Sequence, residues 1–397
     1  MKILILSQRF WPEHFRINII VNILKKKHKV FVLTEKPNYP NKNIPKKYKK
    51  KFFYDENYKS IKISRIPTIT RGENNIKLFL NYLNFIFWSS IKIFRFSKKI
   101  DLIFIYATSP IFQAIAAIIF SKVYKIPSVL WVQDLWPDVI EDLNIVNKKY
   151  FISVVNFFVK LIYKNVDHIL VQSESYKKKI SQNTKNKNIK VFLNPENSNF
   201  KKIKKINKYK NFNITYAGNL GKAQSINCLI DAVKKVRNEK FIINIFGDGS
   251  EKKKLISLIK KNKLENKIRY FNSLSFQNLK KYLQKSDAFI LFLKKGKALS
   301  NTLPAKVQTY LSFGKPIIVS ANGEAQNFVK KNKIGFCANA ENSDELSKQI
   351  IKCIKCSLKD RHKIFNNSRN IFFNDIELNK WTKRLISHFT SITRNKI

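Results

Sequence analysis

The sequence predicts an α/β protein built from two doubly wound domains, each with helices on both faces of a parallel sheet. The length of 397 residues suits two domains better than one, and a hydrophobic content of 44% is enough to give each a core. Short apolar strands alternate with helical segments along almost the whole chain. Strands that are joined by helical crossovers form parallel sheets, so this alternation predicts the fold class.

The first alternation occupies the first half of the chain. The stretch 102–120 is apolar enough to suggest a membrane span, but Ser109-Pro110 interrupts it, so we expect a buried strand, a turn and a core helix there. The predicted strands are residues 3–6, 30–33, 61–66, 102–106, 128–132 and 169–171, and the predicted helices are 17–26, 79–96 and 110–124.

The second alternation follows a change in composition. Residues 195–212 are rich in Lys and Asn, which indicates a linker between an N-terminal domain at 1–194 and a C-terminal domain at 213–370. A helical tail at 371–397 could pack back on the N-terminal domain. The predicted strands here are 214–217, 241–246, 268–271, 288–293 and 316–320, and the predicted helices are 226–236, 252–261, 279–285 and 306–313.

The formal charge of the chain is +51, from 77 Lys and Arg against 26 Asp and Glu. Such a surface attracts anionic lipid or nucleic acid, although compositional drift toward Lys, Asn and Ile could also have produced it. The lysines are spread along the chain and no nucleic-acid motif is present, so a non-specific nucleic-acid binder is a remote alternative. Cys353 and Cys356 have CxxC spacing without a second pair, which indicates a structural role.

Four polar turns follow predicted strands in the second half and predict a nucleotide-binding edge. Glycines let a backbone approach a phosphate, and the following helix N-terminus favours its negative charge. Lys306 would oppose the dipole of its helix, so a bound diphosphate would explain it, whereas Glu324 could bind sugar hydroxyls or cap a helix. Ordinary turn chemistry is the alternative for each turn. The candidates are Gly218, Asn219, Gly221, Lys222 and Gln224, then Gly247 and Gly249, then Pro304 and Lys306, and lastly Gly323 and Glu324.

Two segments of the first half combine aromatic, acidic and proline residues after predicted strands, at 8–18 and 131–138. Polar groups beside tryptophan suit a sugar, because the apolar ring faces stack and carboxylates accept hydroxyl protons. Corner packing is the alternative for both segments. The candidate acceptor-binding residues are Trp11, Glu13, Arg16, Asn18 and Trp136.

The sequence contains no Asp-x-Asp motif at a strand end and no spacing typical of a metal site. We therefore expect a bound diphosphate to be neutralised by lysine side chains and helix N-termini, without a metal.

These motifs together resemble glycosyltransferase family 4, and within it the branch of L-fucosamine transferases of bacterial surface polysaccharides. The resemblance is spread over most of the chain. It is carried by Phe10-Trp11-Pro12-Glu13, Phe15-Arg16-Ile17-Asn18, Pro37-Asn38-Tyr39-Pro40, Gln133-Asp134-Leu135-Trp136-Pro137, Ala217-Gly218-Asn219-Leu220-Gly221, Pro304-Ala305-Lys306 and Gly323-Glu324.

The resemblance implies a GT-B fold, in which two Rossmann-like domains face each other across a cleft. It implies that the C-terminal domain binds the nucleotide-sugar donor and the N-terminal domain the acceptor, with retention of anomeric configuration and no metal. By this resemblance, Lys306 and the turn Gly218–Gly221 hold the diphosphate, Glu324 holds the ribose or donor sugar, and Asp134 faces the reacting sugars. The catalytic candidates are therefore Asp134, Lys306 and Glu324. Positioning and charge stabilisation would then dominate catalysis.

The sequence departs from the wider family pattern at several positions. Asn219 and Gln224 stand where the family carries Arg and Lys, with Lys222 as a candidate substitute. Two glutamates of the family are replaced by Asn301 and Thr309, and a glycine before the second strand is replaced by Lys27.

The function that we expect is a retaining glycosyltransferase of O-antigen or capsule synthesis. It would move N-acetyl-L-fucosamine, or a related deoxy or amino sugar, from a UDP donor to a lipid-diphosphate-linked saccharide, with no cofactor. It would lie on the inner face of the plasma membrane, where residues 79–96 either dock on anionic lipid or form a core helix. The alternative is a nucleotide-sugar isomerase (epimerase) of the same architecture.

Overall fold

The computed structural model describes residues 1–39, 43–72, 75–96, 100–142, 149–186, 188–201 and 211–394. The chain divides into two compact units. The first consists of Met1–Phe192 with Trp381–Ile397, and the second of Leu193–Lys380. Pro40, which belongs to one of the motifs above, and most of the predicted linker lie outside the described residues.

The first unit contains a sheet whose strands are almost all short, apolar and buried. Its strands are β1 Lys2–Leu6, β2 Lys29–Glu35, β3 Tyr54–Tyr58, β4 Ile61–Ile66, β5 Leu102–Ala107, β6 Ser128–Val132, β7 His168–Val171 and β8 Ile189–Val191. Its helices are α1 Arg16–Leu24, α2 Lys46–Lys49, α3 Asn75–Lys92, α4 Ala114–Tyr124, α5 Asp138–Asp142, α6 Lys149–Asn165 and α7 Glu174–Asn183, with 3-10 turns at Ile93–Phe96 and Ile111–Gln113.

The strand order of this sheet is β3-β4-β2-β1-β5-β6-β7-β8. Neighbouring strands run parallel, except that β3 is antiparallel to β4. The order reverses between β1 and β5, which pair although β2, β3 and β4 separate them in sequence. Parallel strands are covered on both faces, and this explains why their apolar residues form continuous runs and do not alternate with polar ones.

Different helices cover the two faces of the first sheet. On one face, residues of α3, α4, α6 and α7 share a hydrophobic cluster with strand residues such as Leu4 and Leu6. On the other face, Ile3 and Ile5 pack with α1 and with the last helix, α16 (Leu378–Arg394). The inward side chains of α16 recur at helical spacing and are Trp381, Leu385, Phe389 and Ile392.

The second unit is a parallel sheet in the order β11-β10-β9-β12-β13-β14. This is the order 3-2-1-4-5-6 of dinucleotide-binding domains, with its reversal between β9 and β12. The strands are β9 Phe212–Ala217, β10 Phe241–Phe246, β11 Ile268–Phe271, β12 Ala288–Phe292, β13 Ile317–Ser320 and β14 Gly335–Ala338. The helices are α8 Ile226–Lys235, α9 Lys252–Lys261, α10 Phe276–Lys285, α11 Lys297–Asn301, α12 Ala305–Leu311, α13 Glu324–Asn332, α14 Ser343–Ile354 and α15 Leu358–Ile371, followed by a π-helical turn at Phe372–Ile376.

The predicted fold class of two Rossmann-like α/β domains is confirmed by these two sheets. Among the described residues, no helix has the length and apolar character that crossing a bilayer requires. The apolar stretch 102–120 divides into β5 and the start of α4, as the sequence predicted.

The borders of the units differ in detail from the predicted linker and tail. The amides of Glu196 and Asn199 donate to the carbonyls of Ile376 and Ser312, so the described start of the segment 195–212 packs within the second unit. Phe372 also packs in the second unit, whereas α16 joins the first unit from Trp381 onward. The predicted tail 371–397 is therefore shared between the units.

Candidate active site

The four polar turns of the second half lie at the carboxyl edge of the second sheet. β9, β10, β12 and β13 run parallel, so the residues that follow each strand emerge at the same edge. The turns 218–224, 247–250 and 321–324 follow β9, β10 and β13 directly, and 302–306 follows β12 after the short helix α11. Doubly wound sheets bind ligands at this edge, beside the point where the strand order reverses.

Glycines allow two of these turns to pack backbone against backbone. The amide of Gly218 donates to the carbonyl of Phe246 at 2.9 Å, and that of Leu220 to Asp248 at 2.8 Å. A Cβ on Gly247, which has a φ of 156°, would lie 2.0 Å from the carbonyl oxygen of Gly218. A Cβ on Gly249 would lie 2.4 Å from the carbonyl oxygen of Leu220. This close contact between the two turns explains why positions 247 and 249 are glycine, and the explanation needs no bound ligand.

The turn after β9 is also fixed by side chains. The amide of Gly221 donates to Gln224 Oε1 at 2.7 Å, and the hydroxyl of Tyr216 donates to the carbonyl of Asn219 at 2.7 Å. The backbone of Gln224 forms an antiparallel bridge with Leu293, just beyond β12. Gln224 thus holds the turn in one shape, and the side chains of Asn219 and Lys222 are exposed at it.

Lys306 lies directly against this turn. The helix α12 begins directly after Pro304, and Lys306 is in its first turn. A Cβ on Gly218 would be only 2.2 Å from Lys306 Cε. The missing side chain of Gly218 therefore makes room for the lysine, whose Nζ is 5.2 Å from the centroid of the Tyr216 ring.

Burial of the Lys306 ammonium lowers its pKa to about 8. Burial is the cause of this lowered pKa, and no carboxylate of the described residues pairs with Lys306 Nζ. A desolvated cation that faces a glycine turn at the ligand edge of the sheet can attract an anion such as a diphosphate.

Glu324 lies at the same edge, in the first turn of α13. Gly323 precedes this helix with a φ of 69°, and a Cβ there would be 2.1 Å from the carbonyl oxygen of Ser300. Glu324 as a residue is half-buried, and its carboxylate is favoured by the positive end of the helix dipole. The fold thus places a cation, Lys306, and an anion, Glu324, beyond neighbouring strands of one sheet.

Asp134 lies at the carboxyl edge of the first sheet, just after β6. Its Oδ2 accepts hydrogen bonds from the amide and hydroxyl of Ser109 at 3.1 and 2.7 Å. The indole of Trp136 donates to the same hydroxyl at 3.2 Å. Burial raises the pKa of Asp134, and the two bonds from Ser109 oppose the rise. The sequence did not identify Ser109 as a site residue, because only its place after β5 brings it to Asp134.

The segment 8–18 is held by a buried polar network that the sequence did not reveal. Arg9 Nη1 lies 2.5 Å from Glu35 Oε1 and 3.5 Å from Glu13 Oε1. The same Glu13 oxygen accepts the amides of Asn38 and Tyr39 at 2.7 and 2.6 Å. Burial raises the pKa of Glu13, and Arg9 opposes the rise. Glu13 therefore links the segment 8–18 to the loop that contains Asn38 and Tyr39.

The other predicted acceptor-binding residues lie on or near this segment. The ring of Trp11 stacks on that of Tyr58 with centroids 3.8 Å apart, and Asn18 Nδ2 donates to the carbonyl of Glu13 at 2.6 Å. Burial raises the pKa of Tyr106, Arg16 opposes the rise and Asp134 adds to it, so both charges lie near that hydroxyl. Within the described ranges, no group of His, Cys, Asp and Glu side chains could hold a metal ion.

The family model of glycosyl transferases group 1 matches residues 196–371, which include every strand of the second sheet. The chain is 30% identical over 108 residues to "Putative colanic acid biosynthesis glycosyl transferase WcaI" of Escherichia coli K12, a match that covers 27% of this chain and 26% of that one. It is 27% identical over 126 residues to "Probable glycosyltransferase WbjE" of Pseudomonas aeruginosa, with 30% of each chain covered. The matches thus span less than a third of these relatives.

A solved structure extends the similarity of fold to almost the whole chain. HepE of Anabaena, in complex with UDP, superposes with a TM-score of 0.68 over 98% of this chain and 100% of its own, at 16% identity. At this identity the superposition shows the fold alone.

Proposed function

We propose that this chain, whose second unit carries a group 1 glycosyl transferase domain, moves a sugar from a nucleoside diphosphate donor onto a saccharide. The proposal rests mainly on the position and surroundings of the Lys306 ammonium group. This ammonium lies over Gly218 at the carboxyl edge of the second sheet, beside the reversal of strand order, and no carboxylate of the described residues pairs with it. Such a cation fits the diphosphate of a nucleotide sugar.

The donor would lie along the carboxyl edge of the second sheet. Its diphosphate would sit at the turn Gly218–Gly221 beside Lys306, and Glu324 would accept hydrogen bonds from ribose or sugar hydroxyls. Lys306 then stabilises the negative charge that develops on the leaving diphosphate, because that charge is greater in the transition state than in the bound donor. In this proposal Lys306 supplies the charge stabilisation without a metal, whereas the amides of Gly218, Leu220 and Gly221 donate within the protein.

The reaction that we propose retains the configuration of the donor sugar. The bond between the anomeric carbon and the diphosphate oxygen breaks, and the acceptor oxygen bonds to the same face of that carbon. The acceptor proton passes to the leaving diphosphate. Asp134 would orient the acceptor hydroxyl through its Oδ1, since Ser109 bonds to Oδ2 and holds the carboxylate in one orientation.

The resemblance and the relatives support the donor and acceptor classes that we propose. UDP is the nucleotide that we propose, and HepE holds it in a similar fold. The motif resemblance supports N-acetyl-L-fucosamine or a related deoxy or amino sugar, and the relative WcaI is named for colanic acid biosynthesis. The acceptor would be a lipid-diphosphate-linked saccharide of an O-antigen or capsule, at the inner face of the plasma membrane.

The experiment that tests this function is a transfer assay with UDP-, GDP- and dTDP-sugars and a lipid-linked acceptor, following released nucleotide and lipid-linked product. We expect one donor to be used, and we expect Lys306→Ala to lower turnover by about 100-fold. Lys260→Ala is the matched control, because this exposed lysine lies at the far end of α9 in the same unit. Equal turnover of the two variants would contradict the proposal, and isomerised free donor in place of transfer would favour an epimerase.

A further inference from the structure

The outer surface of three helices in the first unit is unusually apolar. α4 packs between α3 and α6, and the three helices share one face of the first sheet, so their outer sides point away from the core. Most of the exposed large apolar side chains of the described residues lie on these three helices. Patches of this kind mark surfaces that contact a partner or a membrane.

α3 is apolar on two opposite sides. Its inner side contains Phe85, which is buried against the sheet. Its outer side carries an exposed stripe at helical spacing, in which Ile76 is 69% exposed and Phe87 is 58% exposed. The further members of this stripe are Phe79, Leu83 and Ile91. A helix that is apolar on all sides is ordinarily buried on all sides. The exposed outer stripe of α3 therefore has the composition of a surface that contacts a partner.

α6 repeats this arrangement on the other side of α4. Val155 and Val159 are buried on its inner side, whereas Tyr150 is 84% exposed and Phe157 is 59% exposed on its outer side. α4 lies between the two helices and adds exposed apolar residues. These are Ile119, Val123 and Tyr124.

The three helices carry positive charge and no negative charge. Residues 75–96, 111–125 and 149–165 contain no Asp or Glu. Exposed cations stand among the apolar residues of this surface and are Lys77, Arg95, Lys122, Lys125, Lys160 and Lys164. This combination of apolar side chains and cations matches the surface of a bilayer that contains anionic lipid, where acyl chains lie beneath negative headgroups.

We infer that the outer surface of α3, α4 and α6 docks the protein on an anionic bilayer, with the helices lying in the plane of the interface. A second copy of the chain fits this surface less well than a bilayer does, because a symmetric contact would bring these cations close to one another. The inference rests on the proposed function for its purpose, since a lipid-linked acceptor is presented at such a bilayer.

The test is co-sedimentation with vesicles of phosphatidylcholine, with and without phosphatidylglycerol, in the absence of any nucleotide sugar. We expect binding to the mixed vesicles, with weaker binding when salt is raised. Phe79→Glu on α3 and Phe157→Glu on α6 should each lower the partition coefficient by about tenfold or more, because a charge replaces an exposed ring that docking would bury in the bilayer. The matched control is Phe276→Glu, which changes an exposed phenylalanine of the second unit.

Each outcome of this test has a defined meaning. Loss of binding in the two surface variants but not in the control supports the docking surface. Equal binding by all four proteins would show adsorption by net charge alone and would overturn the inference. A dimer in the absence of vesicles that Phe79→Glu dissociates would assign the surface to a second copy. UDP binding, measured separately on the same proteins without vesicles, reports whether each variant is folded and tests the donor site independently.

Discussion

Replacing Lys306 by Met should stabilise the second unit while it weakens donor binding. Burial lowers the pKa of Lys306 from 10.5 to about 8, so at pH 7 the folded state holds an ammonium that the unfolded state would solvate better. The difference corresponds to roughly 3 kcal/mol, since one pKa unit is about 1.36 kcal/mol. The contact of Lys306 Nζ with the Tyr216 ring, at 5.2 Å, offsets about 1 kcal/mol of this. The expected net gain is about 2 kcal/mol.

The pH dependence of this gain has a definite sign. Below pH 8 the lysine is charged in both states, so the full destabilisation by the buried ammonium is present. Between about pH 8 and 10.5 the folded state loses its proton and the unfolded state keeps it, so the wild type gains stability relative to the variant. The advantage of Lys306→Met should therefore be largest at pH 7 and small near pH 10.

The assay is thermal and urea unfolding of wild type and Lys306→Met at the two pH values. A gain of about 2 kcal/mol should raise the unfolding midpoint of this unit by about 5 °C at pH 7. Lys260→Met is the control, because Lys260 is exposed and its replacement should change the midpoint little. The reasoning is refuted if Lys306→Met destabilises the unit at pH 7, or if its effect does not depend on pH.

Three further predictions concern the two candidate sites. The affinity for UDP should fall by up to tenfold per pH unit above about pH 8, because only the ammonium form of Lys306 attracts the diphosphate. Calorimetric titration with UDP across this pH range measures the affinity. Gly247→Ala should lower the free energy of unfolding by more than about 2 kcal/mol in urea titrations, because its Cβ would meet the carbonyl oxygen of Gly218. Asp134→Asn should lower turnover by about 100-fold with the fold intact, since an amide oxygen can still accept from Ser109.

A matched control accompanies each of these three predictions. Lys306→Arg keeps its charge over the whole pH range, so its affinity for UDP should stay level, and a decline equal to that of the wild type would contradict the lysine titration. Ser250→Ala changes an exposed residue of the same turn as Gly247 and should be close to neutral. Asp101→Asn alters an exposed carboxylate before β5 and should leave turnover unchanged; an equal loss in both variants would remove Asp134 from the site.

The strands and helices that the sequence predicted most closely are those with strong local patterns. Residues 241–246 and 252–261 form β10 and α9 with the predicted bounds, because a continuous apolar run and a helical period are local features. The strand β3 was not predicted. Its sequence is largely polar, and it is held by pairing with β4 and by the contact of Glu56 with Arg65 at 2.7 Å, which is a tertiary interaction.

In the candidate site, likewise, the individual residues could be identified from local sequence patterns, but the contacts between them depend on tertiary structure. Lys306 and Gly218 could each be identified from a turn beside a strand. Their contact could not, because it depends on how α12 packs against a turn that lies far away in the sequence. The bonds between Ser109 and Asp134 likewise require two neighbouring strands, β5 and β6, to be aligned in the sheet.

The central claim is that a nucleoside diphosphate binds at Lys306, and calorimetric titration with UDP at pH 7 tests it most directly. The account predicts that the wild type and Lys260→Ala bind UDP with the same affinity, whereas Lys306→Ala binds it about 10- to 100-fold more weakly, as expected when one charge-assisted contact is lost. Equal binding by Lys306→Ala and the wild type, or no binding of UDP, GDP or dTDP by any of the three proteins, would contradict the account.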